Sequence, residues 1–378
     1  YTIMADGKKV VTPDNAFNEV LPRFANNAPA YNHIRELVVT HTGLEVGAVI
    51  HLDYTIHSEK GYFPALMFDE VLNETSPVKE LVVKVNLPNV NTLNYKLLNI
   101  EGEPALSTVK GQQVYTWTFK NIPASSKESY QVHGHLDAPR LVFSSVEDLN
   151  SVYQSFVNQD AFQMKTNAQM DELVEKVLSE NHDQLSVALA CQKIISNDLN
   201  NLNIPLEYSG FICRTPIETW NSNQGTELEK ALLLSAILQK ANITSTPVAV
   251  IPNPLFDKKM GGLLSFKEFA VMLELENYGN VLLSSNQVND QNQVFSMAGK
   301  QLLKLDPNLK SPAVFSIVPE MSQIVATASF DLSDSALSGN MNLELKAAAN
   351  PYFSLIKDAS AIKSVVKGGI AAKDIEST

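Results

Sequence analysis

The chain has 378 residues, 44% of them hydrophobic and 19% charged, and a formal net charge of −12. This is an ordinary globular composition with length for two or three cores, and it excludes a disordered chain. The acidic balance argues against a nucleic-acid partner, which needs concentrated Lys and Arg, and no apolar run reaches the roughly 18–20 residues of a membrane-spanning helix.

The sequence starts at Tyr1 with no targeting segment, so a mature or trimmed chain is expected. Two cysteines are too few for a disulfide framework. Cys191 lies in the helical pattern LSVALACQKIISNDL and Cys213 just before a polar loop, so two buried thiols are expected, with a single bridge between them as the alternative.

Up to about residue 140 the pattern is β. Residues 48–57 alternate, with Ile50, Leu52, Tyr54 and Ile56 on one face and His51, Asp53, Thr55 and His57 on the other. Residues 81–87, 114–119 and 131–137 read the same way, separated by turn signals near Pro88, Gly111 and Pro123. A two-sheet sandwich is expected, with Tyr115, Trp117 and Phe119 on one face in its core. Six of the seven histidines fall here. His51, Asp53 and His57 share strand parity, as do His133 and His135, yet neither set offers a third and fourth ligand, so these read as solvent-facing residues and no metal is expected.

After Arg140 the spacing becomes helical: SSVEDLNSVYQSFVNQ, then residues 168–180 with Met170, Leu173, Val174 and Val177 as an apolar stripe, then QLSVALACQKIISNDLNNL. A polar loop follows Cys213 and ends at Gly225. Thr226 with Glu229 three residues on is a capping-box pattern, so a helix should begin there. The run LEKALLLSAIL is apolar nearly all round, as in a helix enclosed by other elements. Asn242 ends it, and residues 244–251 read as a buried strand closed by Pro252 and Pro254. From about Gly299 the pattern returns to β: residues 323–330 and 341–347 suggest a hairpin, and residues 350–366 have mixed helical spacing that Gly368 and Gly369 break.

A polar loop feeding a buried helix is where a nucleophile would sit, because the helix N-terminus lowers a thiol's pKa. Gly225, Ala231, Leu233 and Leu234, preceded by Arg214, Pro216, Glu218 and Trp220, resemble the core of the transglutaminase-like superfamily, related to papain-type cysteine peptidases. The lead-in resembles its bacterial branch, which carries a β-domain of unknown function in front. The resemblance implies a multidomain protein: an N-terminal β-sandwich (1–140), a central α+β transglutaminase-like core (141–298) and a partial C-terminal β-rich domain (299–378). It also implies the envelope of a Gram-negative bacterium, periplasmic or cell-surface.

The same resemblance places the family's Cys, His and Asp at Glu227, Glu268 and Ser284, so the triad reads as degenerate. The last histidine is His182, which leaves no imidazole downstream of Gly225. No catalytic residue and no cofactor is therefore expected, and Arg214, Trp220, Gly225 and Thr226 are the candidate cleft residues. Arg214 is expected to lock the loop to Glu218. The leading expectation is a non-catalytic binding or scaffolding module for a protein, peptide or glycan. The alternatives are a glycosidase or metal-assisted hydrolase using a Glu227/Glu268 carboxylate pair, and a peptidase or transglutaminase if the motif is displaced. A pair sharing one cleft would raise one carboxyl's pKa, whereas an isolated Glu227 would simply favour the helix dipole.

Overall fold

The structure is a computed structural model that describes residues 1–88, 93–125, 136–260, 262–287, 293–318, 321–333, 337–346 and 349–350. The expected strand at 131–137 for the most part, His133, His135 and nearly all of the 350–366 segment with Gly368 and Gly369 lie outside the described residues.

At the N-terminus, Thr2–Ile3 pairs with Lys9–Val10 and with Val49–Ile50. The alternation over 48–57 makes a strand only at Val49–Ile50. Residues 51–59 are irregular, and Leu52, Tyr54 and Ile56 are exposed. The reason is pairing: a strand needs a neighbour, and the Thr2–Ile3 strand is too short to continue the ladder. Between these strands, residues 22–34 run as short turns whose Ala25, Ala28, Tyr31 and Ile34 bury against Leu202 and Ile204 of the helical part.

A sandwich follows. One sheet holds β1 (Met67–Val71), β3 (Asn94–Leu98) and β6 (Arg140–Ser144), and the other holds β2 (Val78–Pro88), β4 (Ala105–Val109) and β5 (Gln112–Ile122). All pairings are antiparallel. Tyr115, Trp117 and Phe119 of β5 meet Leu141 and Phe143 of β6 in the core between the sheets. Residue 140 is thus inside the sandwich: Arg140–Ser144 is the central strand of its first sheet.

The helical part comprises α1 (Leu149–Val157), α2 (Ala168–Glu180), α3 (Gln184–Asp198), β7 (Asn200–Leu202), α4 (Pro216–Ser222), β8 (Gln224–Thr226) and α5 (Glu227–Lys240). Helices α1, α2 and α3 start at side-chain caps, Asp148, Asn167 and Asp183, which accept backbone N–H groups of the first turn. A five-stranded antiparallel sheet completes the unit: β9 (Ser245–Pro252), β10 (Glu268–Leu275), β11 (Gly279–Leu283), β12 (Lys300–Lys304) and β13 (Val314–Ser316), in the order β11-β10-β9-β12-β13. Residues 300–316, assigned from sequence to the C-terminal part, therefore finish the central sheet.

Helix α5 lies across this sheet and beneath α2, α3 and α4. That enclosure explains its unpatterned apolar sequence: Leu228, Leu232, Leu233, Leu234, Ile237 and Leu238 are all at most 1% exposed. Truncating one of these leucines to Ala would cost about 2–5 kcal/mol. Asn242, in the left-handed conformation at φ 59°, turns the chain into β9. Beyond the sheet, β14 (Gln323–Leu332) and β15 (Leu337–Lys346) form the expected hairpin, which is exposed along nearly its whole length. Among the described residues no helix is long and apolar enough to cross a membrane.

Candidate functional site

The N-terminus of α5 is built from two successive capping boxes. Thr215 caps α4, with Glu218 returning a bond to the Thr215 N–H at 2.7 Å. Thr226 caps α5: its hydroxyl accepts the Glu229 N–H, and the Glu229 carboxylate accepts the Thr226 N–H at 2.9 Å. Gly225 sits between them because there is no room for a side chain. A Cβ there would stand 2.8 Å from Thr219 Cγ2 and 3.1 Å from Lys230 Cγ.

Behind this turn lies a closed polar network. Glu229, 1% exposed, receives Arg214 Nε at 2.9 Å and Arg214 Nη2 at 2.8 Å, together with the Arg214 backbone N–H and the Tyr31 hydroxyl at 2.5 Å. Arg214 also donates to Ser222 Oγ and the Gln224 carbonyl, so it does lock the loop. Its carboxylate partner is Glu229, not the expected Glu218, which is committed to its own helix cap. Burial alone would push the Glu229 carboxyl up, but the Arg214 bonds and charge, with Tyr31 and Thr226, hold it below the ordinary range. Burial and the neighbouring Glu229 charge raise the Tyr31 phenol, keeping it a neutral donor. Lys230 is also buried here. Desolvation lowers its pKa to about 8, and its ammonium donates to Leu199 O and Asn201 Oδ1.

The other side of the same turn opens into a cleft of about 400 Å³ lined by Thr226, Glu227, Phe266, Lys267, Phe269 and Asn286, with residues 202–207 opposite. Glu227 Oε2 accepts the Phe269 N–H at 2.9 Å. The β10–β11 register would set Ser285 opposite Phe269, but β11 stops at Leu283, and Glu227 takes the N–H where the ladder runs out. Ser285 Oγ donates instead to the Glu227 carbonyl at 3.1 Å. Burial raises the Glu227 carboxyl to about 7, the Phe269 bond opposes this, and the Glu268 charge adds to it. Glu268 opens β10 and is ion-paired with Lys300 of β12 at 2.7 Å.

Of the residues singled out from sequence, Thr226 and Glu227 stand on the cleft wall, with Glu268 close enough for its charge to act on Glu227. Ser284 turns away: its hydroxyl accepts the Asn286 N–H and its carbonyl the Gln192 amide. Arg214 and Gly225 form the layer behind the cap, and half-buried Trp220 packs on the main core. Sequence reasoning passed over Tyr31, Phe269 and Asn286. The amide oxygen of Asn286 is buried on the cleft without a hydrogen-bond donor among the described residues.

Both cysteines are free and buried. Burial pushes the Cys191 thiol up to about 12 and raises Cys213 further, the opposite of an activated nucleophile. His51, Asp53 and His57 are exposed in irregular chain, and among the described residues no group of three ligating side chains gathers.

Residues 1–126 match the model of a protein family described as a domain of unknown function, DUF3857. A crystal structure from Parabacteroides distasonis, described as a "putative protease", is 32% identical with a TM-score of 0.74 and covers 85% of this chain. This chain spans 61% of that protein's length. A second crystal structure, from Cytophaga hutchinsonii and described as a "putative cysteine protease", aligns with 76% of this chain and 94% of its own, at 10% identity and a TM-score of 0.30. No curated protein matches. The chain therefore shares its fold with a protein described as a putative protease.

Proposed function

We propose that this chain is a non-catalytic binding module on a cysteine-protease-like core, with the cleft at the N-terminus of α5 as its recognition site. The observation that carries this reading is the occupant of the helix N-terminus. Where a nucleophile would gain from the helix dipole stands Glu227, fastened to the Phe269 N–H, while both thiols are buried with raised pKa. The cleft is not inert, since Asn286 Oδ1 and the Glu227 carboxyl present acceptors to a ligand's N–H or O–H groups. A role in the cell envelope belongs to the same proposal and rests on the resemblance of the 214–234 segment to the bacterial branch.

The test uses fluorescein-labelled casein, a general protease substrate. The expected result is no turnover, with or without iodoacetamide. Turnover that disappears in Cys213→Ala overturns the reading. A second reading is favoured by one observation, the Glu227 carboxyl near pH 7 beside Glu268: a hydrolase using Glu227 as its proton donor. It requires turnover of casein or of a chromogenic glycoside that is lost in Glu227→Gln.

A further inference from the structure

A second hollow of about 840 Å³ lies between residues 56–70 and the helical part, and it meets the Glu227 cleft at Glu207 and Lys267, which line both. We propose that this groove binds an extended peptide, taking a Lys or Arg side chain at Glu70, within the field of the neighbouring Asp69 charge, and apolar residues on either side of it against the aromatic walls. The proposal concerns a separate surface and holds whatever Glu227 does.

The first argument is charge. Glu59, Asp69, Glu70 and Glu207 line the groove, against one lining lysine, Lys267. Glu207 is paired with Lys267 at 3.5 Å, and Asp69 Oδ1 accepts Arg140 Nη1 at 2.6 Å from behind. Those pairs leave carboxylate in excess. The Glu70 carboxylate, on an exposed residue at the groove's rim, has no hydrogen-bonded or ion-paired partner among the described residues; partial desolvation, then the Asp69 charge, holds its pKa above the ordinary value against the opposing charges of Lys267 and Arg140. A cation placed there relieves that repulsion.

The second argument is an unfilled acceptor. The Asp69 side chain is 1% exposed, yet its Oδ2 receives no donor among the described residues. A buried carboxylate oxygen is normally satisfied, so Asp69, which lines the hollow, keeps an incompletely compensated negative charge in its wall. Asp69 also borders a smaller cavity of about 20 Å³, room for a single water, so the carboxylate a ligand reaches most freely is Glu70.

The third argument is the wall. Tyr62 and Phe63 pack edge to face at 4.9 Å, and the Tyr62 hydroxyl donates to the Tyr208 carbonyl at 2.9 Å, which fixes both rings along the groove. Phe68 is stacked on Phe143 and does not collapse inward. Rigid aromatic faces beside carboxylates suit the alkyl stem and cationic head of Lys or Arg. The volume is within the roughly 300–1,000 Å³ of small-ligand sites, and continuity with the cleft favours an extended occupant over a compact one.

The probe is a fluorescein-labelled octapeptide alternating lysine and phenylalanine, read by anisotropy on the full chain, with norleucine and glutamate counterparts. The lysine peptide is expected to bind about tenfold or more tightly than the norleucine peptide. Because the protein is acidic overall, the decisive variant is local: Glu70→Gln should weaken binding about fivefold, while Glu175→Gln, on the exposed face of α2, should change it less than about twofold. Asp69→Asn, with its fold checked by thermal melting, should also weaken it, by less than Glu70→Gln does. Equal losses in Glu70→Gln and Glu175→Gln would mean diffuse charge attraction and overturn the site. Equal binding of the norleucine peptide would overturn the cation reading. Spermine competing as well as the peptide would overturn the peptide assignment.

Discussion

Glu227 and Glu229 stand two residues apart in the first turn of one helix, and the two sides of that turn behave oppositely. On the side facing the 22–34 segment, Glu229 is saturated by Arg214, Tyr31 and Thr226 and held ionised. On the side facing the sheet, Glu227 has one backbone donor and the Glu268 charge nearby, and its carboxyl rises to about 7. The helix dipole favours both anions, so it cannot be what separates them. What decides is how many donors replace the lost water: five hydrogen bonds make a structural carboxylate, and one leaves a carboxylate poised to exchange a proton or meet a ligand.

The comparison breaks most sharply at Arg214. Arg214→Ala leaves Glu229 buried with its charge uncompensated, and the expected loss is about 3–5 kcal/mol in urea unfolding. Arg214→Lys should recover only part of it, since an ammonium cannot make the paired Nε and Nη2 contacts. A loss below about 1 kcal/mol for Arg214→Ala would place the network among weak surface pairs instead.

The Glu227 side is probed by pH. With an ordinary value of 4.5 and a folded value of about 7, the folded state holds this proton more tightly than the unfolded state does. The stability this contributes is fully present below pH 4.5 and is lost as pH rises through 7. The shift corresponds to an effect on the order of 3 kcal/mol. Glu227→Gln cannot titrate, so its stability relative to the natural chain should climb across that window and level off above it. Parallel pH profiles for the two proteins would show that Glu227 is solvated like any first-turn glutamate.

Much of the fold was legible and less of the site. The helix at 168–180, the enclosed helix opening at Thr226 and the aromatic face of β5 follow from period and capping, which are local. The strand at 48–57 failed because alternation states which face is apolar, not whether a neighbouring strand exists. At the site, Glu229 was visible only as a cap. Its bond to Tyr31 spans 198 positions, and no periodicity encodes such a contact. Phe269 contributes a backbone N–H, which every non-proline residue carries, so its role appears only where β11 ends.

Gly225 tests whether the two sides are held in register by sterics. Gly225→Ala puts a methyl group 2.8 Å from Thr219 Cγ2, and neither β8 nor α4 is free to retreat while Arg214 bonds the Gln224 carbonyl. The expected cost is about 1–3 kcal/mol by thermal unfolding. Pairing it with Thr219→Ser, which removes the opposing methyl, should restore most of the loss. If the double variant is no better than the single one, the constraint lies in the backbone and not in that contact.

The smallest effect reports on how the front of the chain is joined to the rest. Tyr31 is the one side chain of the 22–34 segment that reaches the Glu229 network, through a bond of 2.5 Å to a carboxylate that already has four other donors. Tyr31→Phe keeps the ring, its packing with Ala25, Ala28 and Ile34, and its place beside the Arg214 guanidinium at 5.4 Å. Only the hydroxyl is lost. A hydrogen bond to a charged group is worth about 1.5–3 kcal/mol, but a carboxylate this well supplied loses less than one that depends on a single donor, so about 1 kcal/mol is expected. Combining it with Arg214→Ala sharpens the point. If the hydroxyl matters because it helps neutralise Glu229, its removal should cost more once Arg214 is gone, giving a coupling of about 1 kcal/mol or more. Additive losses would mean that Tyr31 anchors the segment through its ring alone, and that the polar network belongs to the core without help from the front of the chain.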